Sequence, residues 1–130
     1  MYHLQPAVSR ARWLAPEQIT PASVGAPTEK TDIWSFGLLC LEVFTGKDPY
    51  HGHSDFYVCG LLSQGTHPEH PRSTAVGLSP KMWEIMQSCW QIDPVQRPSM
   101  SEIESTIHNV LPRRESFFLS NWRVLTFIPT

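Results

Sequence analysis

Two histidine clusters are the first residues that could do chemistry. His51 and His53 stand in one short stretch, and His67 and His70, with Glu69, in another. Imidazoles and a carboxylate are zinc ligands, but four of them would have to converge from two loops without a cysteine pair, so solvated loop histidines are the expected reading. Cys40 and Cys89 sit in apolar helical stretches and read as core rather than nucleophiles, while Cys59 is left undecided. No Ser-His-Asp spacing or nucleophile elbow occurs. Ser9, with Arg10 and Arg12 beside it, has the surroundings of a phosphorylation site. Glu17 and Arg97, taken alone, read as ordinary surface charges.

Composition narrows the classes. Ten Lys and Arg against twelve Asp and Glu give a net charge of -2, which argues against a nucleic-acid binder held by bulk charge. Apolar residues at 41% and aromatics at 11% suffice for a core and exceed what a disordered chain carries. Three cysteines are too few for a disulfide scaffold, so a reducing, cytoplasmic setting is expected. The first residues have neither the basic flank nor the apolar run of a signal peptide, and no stretch reaches the ~18 apolar residues of a membrane span. Neither a membrane nor a nucleic acid is an expected partner. At 130 residues the length suits one domain.

The elements that would position these residues are marked by proline. Up to Pro112 the prolines, twelve in the whole chain, leave four long free windows, 28–48, 50–67, 81–93 and 99–111, where helices can sit. In the first, Thr28 is a cap, Glu29 and Asp32 suit the positive end of the helix dipole, and Gly46 is the stop. Between Ile33 and Phe44 only Ser35 and Glu42 are polar, so this helix is expected inside something larger. Ser54 opens the second helix, with Tyr57, Val58, Leu61 and Leu62 as its apolar stripe. Ser79-Pro80 opens the third, whose Met82, Ile85, Met86, Cys89 and Trp90 fall on one face. Ser99 and Glu102 form a capping box for the fourth, with Ile103, Ile107, Val110 and Leu111 inward. Residues 116–130 are apolar without a helical period; they read as a poorly ordered tail, in which 124–128 could pair as a short strand.

Three motifs then stand in order: Arg12-Trp13-Leu14-Ala15-Pro16-Glu17, Asp32-Ile33-Trp34-Ser35-Phe36-Gly37, and Cys89-Trp90-Gln91-Ile92-Asp93-Pro94-Val95-Gln96-Arg97-Pro98. Together they resemble the C-terminal part of the C-lobe of a protein kinase, in the tyrosine-kinase and tyrosine-kinase-like branch. The resemblance implies a mainly α fold, an incomplete helical C-lobe portion over residues 9–112. Residues 1–8 would be a remnant of the activation segment, and 113–130 the tail. It implies an ion pair between Glu17 and Arg97, and a role for Asp32 in receiving backbone N–H groups from the catalytic loop. It makes Ser9, Arg10, Ala11, Arg12, Trp13 and Leu14 the segment beside a substrate's phosphoacceptor, and Trp34, Phe36 and Trp90 core. Ser9-Arg10 matches neither the Gly-Thr of tyrosine-kinase-like members nor the proline of tyrosine kinases, so Ser/Thr and Tyr both stay open.

A complete family member transfers phosphoryl from ATP with Mg²⁺ to a protein hydroxyl. These 130 residues contain no G-x-G-x-x-G, no Val-Ala-Ile-Lys, no His-Arg-Asp and no Asp-Phe-Gly, and Asp55-Phe56-Tyr57 is a decoy that heads a helix. The expectation is therefore a chain with no catalytic residue and no cofactor of its own: a truncated product or incomplete gene model of a kinase. The alternatives are a catalytically dead module for protein interaction, or a fragment without function. The apolar helix 28–45 would then expose part of its surface, inviting a protein partner or self-association.

Overall fold

The computed structural model describes residues 11–19, 26–71 and 77–110. Among them are five α-helices and no strand: α1 (Pro16–Ile19), α2 (Glu29–Thr45), α3 (Asp55–Ser63), α4 (Pro80–Cys89) and α5 (Met100–Val110). A 3-10 turn, Pro94–Gln96, joins α4 to α5. The mainly α reading is what the described residues form. Residues 1–10, the tail at 113–130, Leu111 and the 124–128 strand lie outside the described residues.

The helices begin and end where side chains can satisfy the free backbone groups. Thr28 caps α2 reciprocally with Thr31: the Thr28 N–H donates to Thr31 Oγ1 at 2.8 Å, and the Thr31 N–H to Thr28 Oγ1 at 3.4 Å. Gly46 closes the helix at φ 67°, a conformation that costs glycine little, and its N–H returns to the Glu42 carbonyl. Ser54, Ser79 and Ser99 accept from the third residue on in α3, α4 and α5, and Glu102 reaches back to the Ser99 N–H at 2.7 Å. The Ser99 hydroxyl also donates to the Glu102 carboxylate, at 2.9 Å, and the donations from the Ser99 N–H and hydroxyl hold that carboxyl below its usual range.

α2 is the hub. Its Ile33, Trp34, Leu38 and Leu41 are buried against Ile85, Met86, Cys89 and Trp90 of the α4 region, with Val58 and Leu62 of α3 and Ile103 of α5 closing the core. The α2–α4 approach is close because Gly37 has no side chain: a Cβ there would lie 2.7 Å from Trp90 Nε1 and 2.9 Å from Cys89 Cβ. Trp34 and Trp90 are almost wholly buried, and neither indole N–H finds a partner among the described residues. Each unmade bond costs about 1–3 kcal/mol. Burying an indole, at about 150–250 Å² and 25 cal/mol/Å², contributes more, roughly 4–6 kcal/mol.

Two packing expectations need revision. Phe36 is half-buried at the rim of the core, because it falls on the outer side of α2. Tyr57 is exposed: α3 turns Val58 and Leu62 inward, leaving Tyr57 stacked on His53 with ring centroids 4.8 Å apart. α2 leaves part of its surface exposed, as expected for this helix in an incomplete lobe: Asp32, Phe36, Leu39 and Val43 fall on one stripe, with Leu39 52% and Val43 73% exposed.

Candidate functional site: the fastened segment at residues 11–19

Arg97 is the centre of the first fastening. The chain turns sharply before it, where Asp93 Oδ1 accepts the Val95 N–H at 3.0 Å. This turn brings the guanidinium inside, with its side chain fully buried. All five of its N–H groups are used. Nη1 donates to Glu17 Oε1 at 2.6 Å and to the Lys30 carbonyl at 2.7 Å. Nη2 donates to Glu17 Oε2 at 2.8 Å and more loosely to the Ile92 carbonyl at 3.4 Å. Nε donates to the Gln91 carbonyl at 2.8 Å. Below it lies the Trp34 ring, 5.1 Å from Cζ, a cation–π contact. In return the Lys30 ammonium donates to the Arg97 carbonyl. A buried guanidinium is tolerable only when its donors are matched in this way. One side chain thus joins α1, the first turn of α2 and the linker 91–97.

Trp13 is held by the two polar residues of the otherwise apolar stretch in α2. Ser35 Oγ donates to the Trp13 carbonyl at 2.7 Å, and the Trp13 indole N–H donates to Glu42 Oε2 at 3.2 Å. Seven positions separate Ser35 from Glu42, two helical turns, so both face the same way. Sequence reasoning noted them only as exceptions to an apolar pattern.

Arg12 makes the second fastening. Nε donates to Asp55 Oδ1 at 2.7 Å, Nη1 to the carbonyls of Pro49 (3.0 Å) and Tyr50 (3.2 Å), and Nη2 to the His53 carbonyl at 2.6 Å. Tyr50 has φ 56°, the one non-glycine residue in the left-handed region among the described residues. For a bulky side chain that conformation costs about 1–3 kcal/mol. The charge-assisted bonds to the Pro49 and Tyr50 carbonyls offset it. Burial of Tyr50 also raises its phenol far above the ordinary value, so the hydroxyl stays protonated and donates to the Thr66 carbonyl at 3.3 Å.

The remaining candidates are scattered. Asp32 is exposed in the first turn of α2, and no described residue hydrogen-bonds its carboxylate. Ala11 is buried and Leu14 half-buried, while Ser9 and Arg10 lie outside the described residues. His67 stacks on Trp90 (5.6 Å between centroids) and His70 meets the edge of Trp83 (4.6 Å). No three His, Cys, Asp or Glu side chains gather for a metal among the described residues. Burial pushes the Cys40 thiol up to about 11 and the Cys89 thiol to about 12, the latter also feeling nearby Cys40, so both are poor nucleophiles at neutral pH. Cys59 is half-buried. A cavity of about 520 Å³ opens between the end of α2, α3 and the loops at 47–53 and 66–71. No helix among the described residues is long and apolar enough to cross a membrane.

Comparison with known proteins agrees with this geometry. The family described as "Protein tyrosine and serine/threonine kinase" matches residues 2–107. Mouse "Inactive tyrosine-protein kinase 7" is 38% identical over 111 residues, covering 82% of this chain and 10% of that protein. Mouse "Proto-oncogene tyrosine-protein kinase ROS" is 36% identical over 111 residues, 85% of this chain and 4% of that protein. Mouse "Vascular endothelial growth factor receptor 2" is 39% identical over 102 residues, 77% of this chain and 7% of that protein. The chain therefore spans a tenth or less of the length of these relatives. A match over most of its length, spanning the three motifs that contribute to the buried Arg97 site, places this chain in the protein kinase family, in its tyrosine kinase branch.

Proposed function

We propose that residues 9–112 are the peptide-facing helical end of a kinase domain, which holds the end of the activation segment in register and supplies no nucleotide chemistry itself. The observation that carries this is the five-bonded Arg97, whose pairing with Glu17 fixes the segment onto the α4–α5 linker. Such an anchor serves a segment whose position matters to a protein substrate. ATP and Mg²⁺, the family's cofactors, do not fit the residues present. The sequence has no glycine-rich loop, no strand lysine and no His-Arg-Asp or Asp-Phe-Gly. Among the described residues no acidic group gathers with others to hold a cation. In a complete domain the residues described here would orient a protein substrate, while phosphoryl transfer would be done by residues that this sequence does not contain.

Incubating the chain with Mg·ATP and peptides bearing serine, threonine and tyrosine tests this reading. The expected transfer equals that of a protein-free control. Transfer above the control that disappears in Asp32→Asn would overturn it.

A second reading, a catalytically silent module that binds a protein, draws on the exposed Leu39 and Val43 of α2. One of the similar proteins carries "inactive" in its own name, which suits a kinase-derived part that works by binding.

A further inference from the structure

Arg12 belongs to the segment that the kinase resemblance turns toward a substrate, yet its guanidinium is spent on the protein itself. Its side chain is 15% exposed, and four hydrogen bonds lead to Asp55 and to the carbonyls of Pro49, Tyr50 and His53. The consecutive carbonyls of Pro49 and Tyr50 both face Arg12 Nη1, and Tyr50 itself stands in the left-handed region. The same Tyr50 is buried, and its hydroxyl crosses to the Thr66 carbonyl. Tyr50 thereby links the loop at 47–53 to the loop at 66–71, the two loops that wall the 520 Å³ cavity.

The geometry points to Arg12 as a positioning residue that sets the loop between α2 and α3 and, through Tyr50, the shape of that cavity. It couples the segment at 11–19 to a site on the far side of α3's first turn. This deepens the reading proposed above and rests on it in one respect: if the segment lies beside a substrate, Arg12 is not one of the groups that reads it. The planar fork is what the role requires. Lysine has one ammonium and cannot satisfy three carbonyls and a carboxylate spread around a plane.

Hydrogen exchange by mass spectrometry on the full chain tests this, following peptides over 49–58 and 64–71. In Arg12→Gln, exchange should rise about tenfold or more in both peptides, while α2 and α4, which Arg12 does not bond, stay as they were. Arg12→Lys should behave like Arg12→Gln, because charge alone does not replace the fork. Asp55→Asn keeps the three carbonyl bonds and should stay within about twofold of the parent. Tyr50→Phe should loosen 64–71 and leave 49–58 protected. Parent-like protection in Arg12→Lys, or an unchanged 49–58 in Arg12→Gln, would overturn the assignment. Should Arg12→Gln unfold the whole chain, the Asp55→Asn and Tyr50→Phe outcomes still decide it: large exchange at 49–58 in either contradicts the role. Phosphoryl transfer by the same sample would overturn the proposed function and leave this result standing.

Discussion

Glu17 keeps about a quarter of its side chain in solvent, whereas Arg97 keeps none. Removing the carboxylate therefore strands the more deeply buried charge. Glu17→Ala is expected to lower unfolding stability by about 3–5 kcal/mol, with Arg97→Lys no better tolerated, because lysine cannot fill five bonds. Chemical denaturation of the variants beside the parent checks this; a change below about 1 kcal/mol would mean that the pair behaves like an exposed one. The two raised thiols give a pH-dependent prediction. Their folded values lie above the unfolded ones, so the stabilisation is complete below the unfolded thiol value near 9 and is lost as pH rises through about 11 to 12. Iodoacetamide at pH 8 should modify Cys40 and Cys89 only slowly in the folded chain and rapidly once denaturant is added. Residue pairs were unequally legible. Glu17 and Arg97 lie 80 positions apart and were joined only through the kinase motifs. Arg12 and Asp55, 43 apart, belong to no common motif, and Asp55 read only as part of the Asp-Phe-Tyr decoy that heads a helix. Ion pairs between distant segments leave no periodic trace in a sequence; only the fold puts them together.

At the scale of the element, the helices were legible because their signals are local. Proline excludes, serine and threonine cap, and glycine ends; α2 to α5 begin at the residues those rules select. The short α1 and the 3-10 turn carry no such periodicity and are made by tertiary contacts at Glu17 and Arg97. On the expected stripe of α3 only Tyr57 was misjudged, for a related reason. Nine residues that are mostly apolar have no polar side to orient them; the core took Val58 and Leu62, with Leu61 packed against it and Tyr57 outside. Gly37 shows the opposite case, a residue whose type is dictated by a neighbouring element. Gly37→Ala should destabilise the chain by about 1–3 kcal/mol, since the added methyl has no room beside the Trp90 indole and Cys89. Thermal unfolding of that variant against Gly60→Ala, where a Cβ meets nothing within 4 Å, separates crowding from helix propensity: the second should be neutral or stabilising.

For the whole molecule, the apolar stripe of α2 is the feature with the widest consequence. Leu39 and Val43 are more than half exposed on a helix that otherwise forms the core. Exposed apolar surface of this kind drives association. Light scattering of the parent should show a mass that grows with concentration, and Leu39→Lys with Val43→Glu should reduce it without shifting the midpoint of unfolding. The family motifs made the hub helix legible as a hub; they did not show which side of it would remain uncovered, because that depends on what packs there. The central claim is that these residues carry the structural anchors of a kinase domain without its nucleotide site. Calorimetric titration of Mg·ATP into the 130-residue chain, up to several millimolar, tests it most directly. The account predicts only the heat of dilution, with no saturation. A saturable isotherm with a Kd of about 1 mM or tighter, worth some 4 kcal/mol of binding free energy, would contradict it.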